Sequence, residues 1–383
     1  MSDPPTVAVV CGDPGGANAV LPVLQALRWH GVVRLQLFGY REACSIWEKR
    51  GWAHERLLDT TSVEDAQELL ENATASFLLT GTSCNDVELE KRFIAAAREL
   101  GTASLALLDF WSNYTRRFSD AEGNLSYLPN RIAVMDEVAR EEMIAEGFPP
   151  SLLEITGQPA FDDLVWWRRN FSEMTGTAIR RQLGAGPEDL LVLFASQPLA
   201  ELYGDDPAHP NYLGYTEESV VRMLVDALDS IATRDGRRVV LAVRPHPREP
   251  AGKYTEMKGE RVAVVVSTNG EARAVALAAD LVVGMNTELL VETCYLGCVT
   301  LSLQPGLRRP DMLPTNRSDY SRPVYAAEEI EAVTENLLLN EQTRAAMRKN
   351  LENLKTDGLA TSRVVDLICQ MVFSISTCDG MAH

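Results

Sequence analysis

The chain has 383 residues, 46% hydrophobic and 23% charged, with 36 Lys and Arg against 54 Asp and Glu, a formal net charge of −18. That length suits two globular domains, and the composition is that of an ordinary folded protein, neither disordered nor fibrous. The acidic balance argues against a broad nucleic-acid footprint, which needs a basic face, and no apolar run reaches the roughly 18 residues of a membrane span.

Near-continuous apolar runs at residues 6–11, 33–38, 76–80, 103–108 and 131–135 read as strands covered on both faces, as in a parallel sheet. Helical periodicity fills the intervals, at 18–29, 43–50, 63–71, 87–100 and 137–146. Strands alternating with helices of this length are βαβ units. Gly157-Gln-Pro-Ala160 and a helical, Trp-bearing stretch, 162–183, then mark a joint. A second series follows, with strands at 190–195, 239–243, 262–266, 281–283 and 299–303 and helices at 217–233, 271–279, 287–296 and 327–338. The end, 341–372, reads as one amphipathic helical stretch that folds back across the joint. The predicted organisation is a Rossmann-like domain over 1–160, a helical linker over 161–185, a second Rossmann-like domain over 186–345, and C-terminal helices, 346–383, packed on the first domain. Loops at 110–130, 197–215 and 304–323 are long enough to be functional or mobile.

Seven cysteines (11, 44, 84, 294, 298, 369, 378) include no CxxC pair, and Cys294 and Cys298 lack the histidine partners of a zinc site. Free or buried thiols in a reducing, cytoplasmic setting are expected. The opening Met-Ser-Asp-Pro-Pro has no signal-peptide pattern.

Candidate site residues cluster after the strands. Gly12-Asp-Pro-Gly-Gly-Ala-Asn18 follows the first strand. Its glycines, Gly15 and Gly16, would let backbone approach a ligand, with Asn18 beside them and Asp13 as the ionisable group; a plain βα turn is the alternative. It is neither GxGxxG nor a P-loop, because Pro14 breaks the first and no Lys-Ser/Thr supplies the second. Thr82 and Ser83, after another strand, could bond a sugar or cap a helix. Asp109, followed by Phe110 and Trp111, suits a general base with an aromatic stacking floor, or a cap with aromatics covering the sheet edge.

The strongest signal is Arg244-Pro-His-Pro-Arg248, read with Gly284-Met-Asn-Thr-Glu-Leu-Leu-Val-Glu292. Prolines fix the direction of His246, between Arg244 and Arg248. Asn286 and Thr287 open a helix, whose free N–H groups and positive end attract phosphate. Glu288 and Glu292, four apart, share a helix face and could take ribose hydroxyls, or be solvated carboxylates. Gln197, in the loop after the first strand of the second series, completes the candidate set.

Together, residues 12–18, Gly157-Gln-Pro159, Arg244-Pro-His-Pro247 and residues 286–292 followed by Leu296-Gly297 resemble the GT-B superfamily. Its members include nucleotide-sugar glycosyltransferases, the UDP-N-acetylglucosamine 2-epimerase group and CDP-glycerol or Kdo-type transferases. The resemblance implies an α/β fold of two Rossmann-like, doubly wound parallel-sheet domains facing a cleft, with a C-terminal helix crossing back. It places the nucleotide diphosphate on residues 284–292 and the ribose on Glu292. The sequence departs from the epimerase group, with Met285-Asn286-Thr287 where that group has a Gly-Gly pair, and Ala195-Ser-Gln-Pro198 where it has His-Arg-Arg-Glu-Asn. The implied activity is metal-independent sugar transfer from a UDP- or CDP-linked donor to a small-molecule or glycan acceptor, with no separate cofactor. Asp13 or Asp109 would be the base, and Arg244 and His246 would offset leaving-group charge. A nucleotide-sugar 2-epimerase and a non-catalytic nucleotide-sugar-binding protein are the alternatives. No nucleic-acid partner or integral membrane association is expected, and a homodimer is compatible with the chain.

Overall fold

The computed structural model describes residues 3–250, 252–354 and 356–378. Met1 and Ser2, the Cys378 thiol and the last five residues of the predicted C-terminal segment lie outside the described residues. Two compact units emerge, one formed by residues up to Asp163 with the chain from Thr356 onward, the other by Leu164–Lys355.

Unit 1 carries seven strands, β1 (Thr6–Cys11), β2 (Arg34–Gly39), β3 (Glu55–Arg56), β4 (Ala75–Thr80), β5 (Ala103–Leu107), β6 (Arg131–Val134) and β7 (Leu153–Ile155). All pair in parallel, in the order β3-β2-β1-β4-β5-β6-β7. Every residue of β1 is buried. Val7, Val9 and Cys11 enter one core, while Ala8 and Val10 enter the other, as the two-residue strand period requires. The first core also holds the helix Pro14–His30 and, from the helix Ala360–Cys378, Val364, Val365, Ile368 and Val372. The second holds the helix Leu89–Glu99.

Unit 2 has six strands, β8 (Leu190–Ala195), β9 (Val239–Arg244), β10 (Val262–Val266), β11 (Leu281–Gly284), β12 (Thr300–Leu303) and β13 (Arg322–Val324), again all parallel and ordered β10-β9-β8-β11-β12-β13. Leu190, Val192 and Phe194 of β8 pack against the helix Glu217–Asp235 through Val220, Leu224 and Leu228. In each sheet the strand order reverses beside the first strand, between β1 and β4 and between β8 and β11. Ligands of open α/β sheets bind outside the carboxyl ends at such points.

Four expectations from the sequence are corrected. The first helix begins at Pro14, not at 18, because proline suits the first helical position; Gly15, Gly16 and Asn18 are therefore helical, not loop. The stretch 162–183 breaks into helices Leu164–Asn170 and Glu173–Gln182, with Ser172 accepting from Thr175 N. The stretch 341–372 also breaks, into Glu341–Leu351 and Ala360–Cys378. Gly358 takes a positive φ of 77° there, and Asp162 caps the second helix by accepting from Ala360 N at 3.0 Å and Thr361 N at 2.7 Å. Finally, the edge strands β3, β7 and β13 are two or three residues long, too short to leave a pattern. No helix among the described residues is long and apolar enough to cross a membrane.

Candidate functional site

At the carboxyl edge of the unit 1 sheet, the segments after β1 and β4 press together. A Cβ on Gly16 would lie 3.2 Å from Gly81 Cα, and one on Gly15 would lie 1.9 Å from Asp109 Oδ2. These glycines thus serve close packing, and the space beside Gly15 is filled by a carboxylate. Asp109 is buried; its Oδ1 accepts from Arg117 at 2.5 Å and from Thr82 Oγ1 at 3.0 Å. Arg117 also donates to the Thr82 carbonyl and hydroxyl.

Asp13 is half-buried, and its two oxygens accept from Cys84 N at 2.8 Å and Asn85 Nδ2 at 2.5 Å. Ser83 is buried: its hydroxyl donates to Glu90 and accepts from Asp13 N. Asn18 is exposed on the helix. Trp111 does not form an open floor. It is 2% exposed, stacks on Phe161 and donates from Nε1 to Asp136 at 2.8 Å.

Glu90 was missed. It is buried, with Oε1 accepting from Gly12 N at 2.9 Å and Ser83 Oγ at 2.5 Å, and Oε2 accepting from Tyr40 OH at 2.5 Å. Burial raises its pKa to about 7; the Ser83 and Tyr40 hydrogen bonds oppose the rise and Asp13 adds to it. The signal was present, since Glu90 shares the i, i+3, i+4, i+7 stripe of Phe93, Ile94 and Ala97, all buried.

Unit 2 contains a cavity of about 440 Å³ at the carboxyl edge of β8, β9, β10 and β11, lined among others by Ser196, Arg244, His246, Glu249, Thr268 and Thr287. Arg244 donates to the carbonyls of Asn269 at 2.9 Å and Gly270 at 2.7 Å, so it braces the turn after β10. Burial lowers its pKa, with Glu271 opposing. His246 is half-buried, and burial first and Arg248 second lower its pKa, against Glu249. Its Nδ1 accepts from Arg248 N at 3.2 Å, which leaves the proton of the neutral ring on Nε2. The Arg248 side chain is exposed.

Thr287 caps the helix Glu288–Tyr295, with its hydroxyl accepting from Leu289 N, and lines the cavity. Gln197 Oε1 accepts from Asn286 N at 3.1 Å, which joins the loops after β8 and β11 at the reversal point. Asn286 Oδ1 is buried without a hydrogen-bond partner. Glu288 is half-buried. Glu292, expected to take ribose, is held by Arg273 in a two-point ion pair, Nε to Oε2 at 2.7 Å and Nη2 to Oε1 at 3.0 Å.

Beneath the cavity lies a second charged network that the sequence reading did not single out. Glu249 accepts from His246 N at 2.7 Å, Ser196 Oγ at 3.0 Å, Tyr254 OH at 2.8 Å and Lys253 Nζ at 3.0 Å. Lys253 also pairs with Glu217, whose Oε2 accepts from Ala200 N at 2.9 Å. The spacing of Glu249 and Lys253, four apart right after the His-Pro element, was the available clue. Among the described residues no cluster of three or more His, Cys, Asp or Glu is arranged to hold a metal ion. The six described cysteines are free.

No protein-family profile and no curated protein sequence matches this chain. Solved structures do. The UDP-GlcNAc 2-epimerase from Neisseria meningitidis bound to UDP-GlcNAc is similar with a TM-score of 0.66 at 12% identity, over 95% of this chain and 100% of that one. MurG from Acinetobacter baumannii is similar with a TM-score of 0.62 at 14% identity, over 96% and 100%. Anabaena HepE in complex with UDP and glucose is similar with a TM-score of 0.59 at 12% identity, over 96% and 99%. The fold is GT-B. At such identities the likeness shows the fold alone.

Proposed function

We propose that this chain is a glycosyltransferase that takes a sugar from a UDP- or CDP-linked donor, with the donor's diphosphate held in the unit 2 cavity. The observation that carries the reading is the convergence there of a helix start at Thr287, the Nε2–H of His246 and the guanidinium of Arg244, at a reversal point of a parallel sheet. A neutral His246 donates a hydrogen bond to a phosphate oxygen, and its imidazolium becomes more favourable as charge grows on the departing diphosphate. Asn286 brings an unpartnered polar atom beside the same helix start. Asp13, whose carboxylate remains half-buried, serves as base toward an acceptor hydroxyl or amine; Asp109 is committed to Arg117.

A 2-epimerase is the second reading, favoured by the several UDP-GlcNAc 2-epimerases among the similar structures. Epimerisation needs acid and base groups around one sugar carbon. The engagement of Asp109 and the burial of Thr82 and Ser83 leave unit 1 better suited to a single deprotonation.

A thermal-shift panel of UDP, CDP, GDP, dTDP and ADP on wild type and His246→Ala tests the site. A ligand at 100 times its dissociation constant adds roughly 2.7 kcal/mol, and the shift should shrink in the variant. No shift with any nucleotide refutes the reading. The donor so found, incubated alone and followed by NMR, stays intact for a transferase and is consumed by an epimerase.

A further inference from the structure

We propose that Glu90 is a positioning residue, the buried pin that ties together three loops at the carboxyl edge of the unit 1 sheet and so sets the place of Asp13. One carboxylate receives the Gly12 N–H after β1, the Tyr40 hydroxyl after β2 and the Ser83 hydroxyl after β4. These loops flank the point where the strand order reverses. The Ser83 hydroxyl passes the constraint on by accepting from Asp13 N at 3.2 Å, and Tyr40 by accepting from Leu89 N at 3.2 Å. The ring of Tyr40 also fills the space beside Gly12, where a Cβ would lie 2.0 Å from it. No other described carboxylate in unit 1 joins three of these loops.

The charged and titratable groups around Glu90 are Cys11 on β1, Asp13 after it and Tyr40 after β2; Asp109 after β5 acts on Cys11 and is itself balanced by Arg117. Lys91, next in sequence, is turned onto Glu88 at 2.6 Å. Glu90 therefore has no cation on it among its described partners, and it is buried. Its pKa of about 7 exceeds the 4.5 of a free glutamate because burial outweighs three donated hydrogen bonds.

The sign follows from linkage. Any opening that hydrates Glu90 lowers its pKa toward the free value, so rising pH between 4.5 and about 7 favours opening, and above that window the effect levels off. The pin is tightest with Glu90 protonated and loosens as it ionises. Asp13 is thus held firmly on the acid side of neutrality and loosely on the alkaline side. This geometry does not depend on the proposed transfer; only its consequence for chemistry rests on Asp13 as base.

Hydrogen exchange of wild type, Glu90→Gln and Tyr40→Phe between pH 5.5 and 8.5, corrected for intrinsic rates, tests the pin without any substrate. Protection of residues 12–17 and 83–89 in wild type should fall on the order of tenfold across that range, while the sheet interior stays protected. Glu90→Gln imitates the protonated pin and should stay protected throughout. Tyr40→Phe removes a donor that favours the ionised form, so its transition should move to higher pH. Wild-type protection that does not change with pH overturns the proposal, as does a Glu90→Gln protein that loosens like wild type. Should Glu90→Gln fail to fold, the wild-type titration and the direction of the Tyr40→Phe shift decide by themselves. Loss of nucleotide binding in unit 2 would leave all these outcomes unchanged, so the two proposals fail separately.

Discussion

Replacing Lys253 with methionine should destabilise the protein by about 2–4 kcal/mol, somewhat below the cost of breaking a fully buried ion pair, because the Lys253 side chain is 20% exposed and water screens part of its charge. Methionine fills the same volume, so no cavity forms and the loss is electrostatic. In the structure Lys253 Nζ lies between Glu217 and Glu249, both 1% exposed at the side chain. Without the ammonium, Glu249 keeps three donors, from His246 N, Ser196 and Tyr254. Glu217 keeps the single donor Ala200 N, and its other oxygen faces a second buried carboxylate. The pKa of Lys253 expresses the same balance: burial acts to lower it, but the two carboxylates outweigh burial and hold it raised. Urea unfolding at pH 7.5 of wild type, Lys253→Met and Lys253→Met/Glu217→Gln supplies the assay. The double variant should regain about 2 kcal/mol or more, because the stranded charge is gone. A single variant within about 1 kcal/mol of wild type, or a double variant no better than the single, would refute the reasoning. It would mean that water reaches Glu217 once the ammonium is gone.

Two further predictions concern unit 1. Gly15→Ala should cost about 1–3 kcal/mol by overpacking, despite alanine's helix preference, since the new methyl would sit 1.9 Å from Asp109 Oδ2; denaturant midpoints equal to or above wild type would show that Asp109 moves aside freely. Asp162→Ala should cost about 1 kcal/mol through loss of the cap on the helix Ala360–Cys378, with faster amide exchange confined to the first turn of that helix; unchanged exchange there would show that the turn at Gly358 sets the helix start without the cap.

Much of the fold was legible because its determinants are local. The strands 6–11 and 190–195 coincide with β1 and β8 residue for residue, since a strand buried on both faces is apolar almost throughout; 262–266 likewise coincides with β10, an edge strand rich in β-branched valine that is only half-buried beyond Val262. Helix starts were less legible where the deciding group lies elsewhere in the chain: Asp162, nearly two hundred residues away, fixes where the last helix begins. The loops that carry Asp13, His246 and Thr287 could be named from their positions after strands, because a parallel sheet sends every such loop to one edge.

What the sequence could not decide is which of those side chains remain available. Asp109 and Glu292 looked equally free to act, yet one meets Arg117 and the other Arg273. Trp111 looked like a surface for stacking, yet it is enclosed by Phe161 and Asp136. Glu90 and Lys253 carried only the signal of their spacing, which does not name their partners, yet each joins segments far apart in the chain. Alternation of apolar and polar residues is written along the chain and sets the layers by itself. The protonation, pairing and burial of a charge depend on neighbours brought in from other elements, and only the tertiary structure supplies them.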